Sequence, residues 1–136
     1  MKLELKHLAP YLPYGLKAMD LDNGSVRTVT LLHFTYDMET VGHNHLIYEG
    51  LLLKKHQPIL KPLSDLDSGN VEGLFYSEWL IEKYHTIGIE NQINRIEDDI
   101  RWINYCDYIL IQHLLEWHFD VFGLIEKGLA IDINTI

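Results

Sequence analysis

The longest regular pattern in the chain is an apolar seam whose positions succeed one another at alternating steps of four and three residues. This spacing keeps side chains on one face of an α-helix. The seam consists of Ile89, Ile93, Ile96, Ile100, Ile103, Asp107, Leu110, Leu114, Trp117 and Val121. It predicts one helix of about 30 residues over residues 90–118, which would be about 40 Å long.

The first half of the chain, residues 1–66, has the composition of short strands and turns. Its clearest local signal is the pair Asn23-Gly24, because these residue types adopt the positive backbone angles of a tight hairpin turn. We therefore predict a hairpin between residues 16–21 and 26–34.

A third strand is predicted over residues 46–53, after a polar connection. Residues 56–66 then contain Pro58 and Pro62. Because proline has no backbone N–H for a sheet ladder, this stretch is predicted to be an edge strand or an extended crossing segment.

Two shorter helices are predicted in the second half, residues 77–136. Ser77 is a suitable N-cap for a helix over residues 78–84. Asp120 is a suitable N-cap for a helix over residues 121–127, with Gly128 closing it in a left-handed conformation. Residues 130–133 are predicted to form a final extended piece.

These elements together predict an α+β fold in one domain, residues 1–136. A small antiparallel sheet from the N-terminal half would pack against the long C-terminal helix, with a short helix and tail closing the core. The predicted helix carries further apolar side chains outside the seam, which predicts homodimerisation through it. These residues are Trp102, Cys106, Ile109 and Ile111.

Charge is distributed unevenly along the chain, whose net charge is −9. Residues 1–62 carry seven Lys/Arg and six Asp/Glu, whereas residues 63–136 carry four and fourteen, a net charge of −10. Such acidity disfavours direct binding of nucleic acid and favours basic protein partners.

Three features predict a cytoplasmic location. Cys106 is the single cysteine, so no internal disulfide can form. No apolar run reaches the length of a membrane span, and the first ten residues lack the apolar core of a signal peptide. On an apolar helix, Cys106 is interpreted as a packing residue rather than a nucleophile.

A possible metal site lies at His43, His45 and Glu49. In an extended strand these side chains share one face and would offer nitrogen and oxygen ligands to a divalent metal. The spacing resembles the His-x-His-x3-Glu portion of the first cupin motif, although Asp37 stands where that motif has a glycine. The alternative interpretation is two solvent-facing histidines at the mouth of a hairpin.

A second candidate constellation comprises His113, Glu116, Trp117 and Asp120. On one continuous helix, His113, Glu116 and Asp120 could share a face and form a polarised histidine suited to general base catalysis. The cap assigned to Asp120 would interrupt that face, so we predict packing and capping roles for Trp117 and Asp120 instead.

Asp107 is the one ionisable residue of the seam. A carboxylate at a core position is costly unless it is paired. We predict that Asp107 fixes the register of helix packing through a partner such as Arg101 or Arg27.

Three phrases of the sequence resemble a family of small uncharacterised proteins from prophages and mobile elements of gut Bacteroidetes. The phrases are LKHLAPYLPYGLK (5–17), KPLSDL (61–66) and HFDVFGLIEKGLAID (118–132). The resemblance implies an accessory gene product that acts inside the bacterial cell, and it carries no catalytic residue or cofactor onto any position.

The sequence therefore favours a non-enzymatic interaction protein that acts through its acidic helical half, with no cofactor. One version is an acidic inhibitor that occupies the nucleic-acid-binding groove of a host protein. The alternative function is a small metal-dependent, cupin-like enzyme that uses His43, His45 and Glu49.

Overall fold

The computed structural model describes residues 3, 5–29, 32–36, 44–48, 51–52, 56–84 and 87–136, with the backbone alone at 5, 32–36, 44–48, 51–52, 70 and 87. It has an α+β fold, as predicted. The chain forms two compact units, one of Met1–Leu60 with Leu124–Ile136 and one of Lys61–Gly123. The assignment of residues 1–136 to one domain stays a prediction. Within the described ranges, every helix is too short or too polar to cross a bilayer.

The elements follow one another as short segments. The strands are β1 (Lys17–Asp20), β2 (Val26–Thr28), β3 (Leu32–Tyr36), β4 (Asn44–Tyr48), β5 (Leu51–Leu52), β6 (His56–Leu60), β7 (Asn70–Val71), β8 (Leu74–Phe75) and β9 (Ile131–Asp132). The α-helices are α1 (Leu5–Leu8), α2 (Tyr76–Tyr84), α3 (Ile87–Asp98) and α4 (Tyr108–Glu116). The 3₁₀ segments are Ala9–Tyr14, Leu63–Asp67, Ile100–Tyr105 and Ile133–Thr135.

The predicted hairpin is confirmed in the first unit, although its second strand ends at Thr28 and residues 32–34 belong to β3, which pairs with β4. β1 pairs antiparallel with β2, with Lys17 opposite Thr28. In the turn, Gly24 has a φ of 75°, and the side-chain oxygen of Asn23 accepts a hydrogen bond of 2.8 Å from the Ser25 N–H. The Asn-Gly pair therefore sets the register of this hairpin by local chemistry.

The sheet of the first unit has the strand order β2-β1-β6-β9. β6 pairs antiparallel with β1 up to Pro58, and β9 pairs parallel with β6 from Ile59 onward. The sheet is therefore mixed rather than wholly antiparallel. β6 therefore lies between two strands and is not the predicted edge strand, and its pairing with β9 begins one residue after Pro58. A second sheet, β3-β4-β5, is antiparallel.

The core of the second unit lies between α2, α3 and α4. Its fully or nearly fully buried apolar side chains are Leu66, Leu80, Ile89, Ile93, Ile96, Leu110, Leu114, Phe119 and Val121. Most of these are seam positions, and burial of each large aliphatic side chain contributes about 1.5–3 kcal/mol to stability. The helix predicted after Ser77 is confirmed as α2, although Ser77 lies inside it.

The single long helix predicted over residues 90–118 is wrong. The structure divides this stretch into α3, a 3₁₀ segment and α4. The first break falls at Asp99, which has an extended backbone. Asp98, the last residue of α3, is also acidic, so two carboxylates lie at the negative end of the α3 dipole, where negative charge is unfavourable. The Asp99 carboxylate accepts a hydrogen bond of 3.0 Å from the Arg101 N–H and so caps the next segment.

The helix predicted over residues 121–127 is also wrong, because this stretch consists of turns. Gly123 has a φ of 68°, and a left-handed residue in the middle of the stretch interrupts a right-handed helix. Gly128 does adopt the predicted left-handed conformation, with a φ of 73°. The final extended piece is confirmed as β9.

Candidate functional site

Aromatic rings surround His113 in the second unit. The Trp117 ring stacks on the imidazole at a centroid distance of 5.2 Å, and the Trp79 ring meets it edge to face at 5.2 Å. Tyr76 extends the group, 4.9 Å from Trp117. We call Tyr76, Trp79, Tyr84, His113 and Trp117 the His113 cluster. It joins α2 to the C-terminal end of α4.

The imidazole of His113 is held in a largely apolar environment. Its Nε2 lies 2.5 Å from the Tyr84 hydroxyl, and its Nδ1 lies 3.5 Å from a carboxylate oxygen of Glu116. Nδ1 is buried and has no hydrogen-bond partner among the described residues. Burial lowers the pKa of His113 and the Lys83 ammonium lowers it further, against the opposing effect of Glu116.

This geometry does not suit a general base. The His113 side chain is 13% exposed, and two indole rings pack against it. Nε2 is engaged by the Tyr84 hydroxyl and Nδ1 is buried, so neither ring nitrogen is open to take a proton from a substrate. His113 and Glu116 are adjacent as the sequence suggested, but α4 ends at Glu116, so the continuous helical face that would include Asp120 is absent. The His113 cluster is therefore a packing feature.

Trp117 and Asp120 anchor the chain beyond α4. The Lys61 ammonium donates a hydrogen bond of 2.6 Å to the Trp117 carbonyl, and the Asp120 N–H donates to the Lys61 carbonyl at 2.8 Å. Burial lowers the pKa of Lys61, while the Asp65 carboxylate opposes the shift. Asp120 is buried, but it does not begin a helix as predicted.

Asp107 is exposed rather than placed in a core seam. It lies at the N-cap position of α4, where its carboxylate accepts a hydrogen bond of 3.0 Å from the Gln92 amide. The Asp107 N–H donates in return to the Gln92 side-chain oxygen at 2.8 Å. This reciprocal pair connects α3 to the start of α4. The predicted partner Arg101 pairs with Asp99 instead.

An exposed, mostly aromatic surface is formed by the 3₁₀ segment Ile100–Tyr105 and the first residues of α4. Its residues, which we call the 102–109 surface, are Trp102, Tyr105, Tyr108 and Ile109, exposed by 42%, 78%, 78% and 39%. The rings of Trp102 and Tyr105 are 5.7 Å apart, and the Arg95 guanidinium lies 5.1 Å from the Trp102 ring. Single exposed apolar residues are ordinary, but four within eight positions form a candidate interaction surface.

A cleft of about 510 Å³ lies beside α2 in the same unit. Glu72, Leu74, Trp79, Glu82 and Lys83 line it, and we call it the Trp79 cleft. The Trp79 indole N–H donates to the Glu72 carboxylate at 3.1 Å, and the Lys83 ammonium lies 4.5 Å from the Trp79 ring centroid. The sequence alone gave no sign of this cleft, because its lining comes from both the β7–β8 hairpin and α2.

The predicted metal ligands cannot be assembled into a site. His43 and Glu49 lie outside the described residues, and His45 lies in β4, where the backbone alone is described. The metal site therefore stays a prediction, which the metal content of natively purified protein would test. Among the residues whose side chains are described, no group of three metal-ligating side chains occurs.

The sequence did not predict that Tyr84, Trp79 and Gln92 would be partners of His113 and Asp107. These contacts join residues 15 to 34 positions apart, and helical periodicity carries no signal for them. The 102–109 surface and the Trp79 cleft are both open to solvent. No family model, curated protein or solved structure matches this chain.

Proposed function

We propose that this protein is a non-enzymatic interaction module that binds a basic protein partner through its second unit. The observation that carries the proposal is the 102–109 surface. Tyrosine and tryptophan supply much of the binding energy in protein interfaces, because a large apolar area is buried with few rotatable bonds. Tyr105 and Tyr108 are 78% exposed, so they are available for such burial.

Charge selects the kind of partner. Residues 61–123 carry twelve Asp/Glu and four Lys/Arg, a difference of −8. An acidic surface attracts a basic protein and repels a second copy of itself. A nucleic-acid-binding groove on a host protein has the required positive charge, which makes an inhibitor of such a protein the most specific form of the proposal.

The proposed setting is the cytoplasm of a bacterial host, where the protein would be an accessory product of a prophage or mobile element. The three phrases of family resemblance support the origin, and the single cysteine is compatible with a reducing compartment.

The proposal is tested by affinity capture from the bacterial host, with wild type and the Tyr105→Ser/Tyr108→Ser variant as parallel baits. A captured protein is then titrated in purified form. We expect the variant to bind it at least about tenfold more weakly, since removal of central interface tyrosines costs this much or more. Binding should weaken as salt concentration rises.

Phe75→Ser is the matched control, because Phe75 is a 40% exposed aromatic residue of the same unit outside the 102–109 surface. Competition with DNA for the captured protein distinguishes an inhibitor from a scaffold. The proposal is wrong if no captured protein discriminates between wild type and the double variant. It is also wrong if sedimentation shows a homodimer that the double variant abolishes.

A further inference from the structure

The Trp79 cleft combines an aromatic ring face with carboxylates from two different elements. Glu72 lies in the turn between β7 and β8, and its φ of 52° places it in the left-handed region next to Gly73, which has a φ of 83°. In this turn the Glu72 carboxylate reaches the Trp79 indole N–H. Glu82 lines the same cleft from α2, one turn after Trp79.

The electrostatics of this cleft favour a cation. The face of an indole ring attracts positive charge through its quadrupole, and two carboxylates add to that attraction. The chain itself already places a cation there, since the Lys83 ammonium lies 4.5 Å from the Trp79 ring centroid. Lys83 is exposed and has flexible stem atoms, so it can move away from the ring.

We propose that the Trp79 cleft binds the guanidinium group of an arginine side chain, with Lys83 as an internal competitor for the ring. A planar guanidinium stacks on an aromatic face and donates to carboxylates in a fixed geometry, which an ammonium cannot do. The inference rests on the proposed function in one respect, that a basic partner would supply the arginine.

The test titrates acetyl-arginine amide into ¹⁵N-labelled full-length protein and follows the assigned Trp79 indole N–H resonance. Acetyl-citrulline amide, an uncharged analogue of the same shape, is the control ligand. We expect Lys83→Met to bind the arginine compound about fivefold more tightly, because the competing cation is removed while the apolar stem is kept. Glu72→Gln and Glu82→Gln should each weaken binding about threefold.

Lys17→Met is the matched control for charge removal, because Lys17 is an exposed lysine of the first unit. The inference is overturned if the Trp79 resonance does not shift, if citrulline binds as well as arginine, or if Lys83→Met weakens binding. Partner binding through Tyr105 and Tyr108 is measured separately. If the partner binds but arginine does not, the cleft inference alone is wrong. If arginine binds but no partner does, the proposed function alone is wrong.

Discussion

The His113 cluster and the 102–109 surface both draw on the one stretch of sequence that predicts a long helix, yet they have opposite environments. In the cluster, α2 contributes Trp79 and Tyr84, which cover His113. In the surface, Tyr105 and Tyr108 remain 78% exposed. Similar residue types are therefore buried where a second element packs against them and exposed where none does.

The physical reason lies in the break between α3 and α4. A continuous helix would keep one face directed at the core over its whole length. The cap formed by Asp99 and the reciprocal bonds between Asp107 and Gln92 instead lie at the two ends of a 3₁₀ segment, Ile100–Tyr105, that separates the helices. Trp102 and Tyr105 in that segment and Tyr108 at the start of α4 are exposed, while Leu110 and Leu114 further along α4 are buried.

The largest expected effect comes from shortening a side chain in the core of the second unit. Leu114 is fully buried on α4. Leu114→Ala should lower the free energy of unfolding by about 2–5 kcal/mol, since it removes buried methyl groups and leaves a cavity. Urea unfolding followed by circular dichroism measures this change.

Tyr108→Ala is the control for this measurement and should change stability by no more than about 0.5 kcal/mol. If Tyr108→Ala lowered the free energy of unfolding as much as Leu114→Ala does, Tyr108 would not be exposed in solution. The 102–109 surface would then be covered by another copy of the chain.

Acidification should act on the His113 cluster. Burial lowers the pKa of His113 below its ordinary value of 6.5, so the folded state holds a neutral ring that the unfolded chain would protonate. Stability should therefore fall as pH decreases below 6.5. Unfolding measured between pH 7.5 and 5 for wild type and His113→Gln checks this, and an unchanged slope in the variant would argue against a buried neutral imidazole.

A smaller effect is expected at the junction between the two regions. Asp107→Leu removes the hydrogen bond from the Gln92 amide to the Asp107 carboxylate and keeps the one donated by the backbone N–H, so it should lower the free energy of unfolding by about 0.5–1 kcal/mol. Asp107→Asn retains an acceptor for the Gln92 amide and should lose less. If Asp107→Leu instead stabilises the protein, Asp107 has no role in fixing how α4 follows α3.

A pH effect of opposite sign to that of His113 is expected at Glu97 on α3. Desolvation and a hydrogen bond with the nearby Asp67 carboxylate raise its pKa to about 7. The stability that protonated Glu97 contributes is complete below its ordinary pKa of 4.5 and is lost as pH rises through 7. Glu97→Gln should therefore be more stable than wild type above pH 7, as thermal unfolding at pH 8 would show. A variant less stable at that pH would contradict the raised pKa.

The sequence predicted the elements that depend on contacts between near neighbours. The hairpin followed from Asn23-Gly24, and α2 followed from the apolar pattern after Ser77, although the predicted capping role of Ser77 was wrong because this residue lies inside the helix. The seam residues Ile93 and Leu114 were correctly predicted to be buried, because periodicity reports which residues face a core. The left-handed Gly128 followed from the freedom of a residue without a side chain.

Tertiary structure decided what depends on distant parts of the chain. The same apolar spacing fits one long helix and three successive segments. The break at Asp99 depends on side-chain hydrogen bonds, which periodicity does not predict. The parallel pairing of Ile59 with Ile131 and the contact of Tyr84 with His113 join residues 72 and 29 positions apart. Local patterns thus predicted most of the buried aliphatic positions and the hairpin turn, whereas packing between distant segments set the exposure of Asp107 and of the aromatic residues.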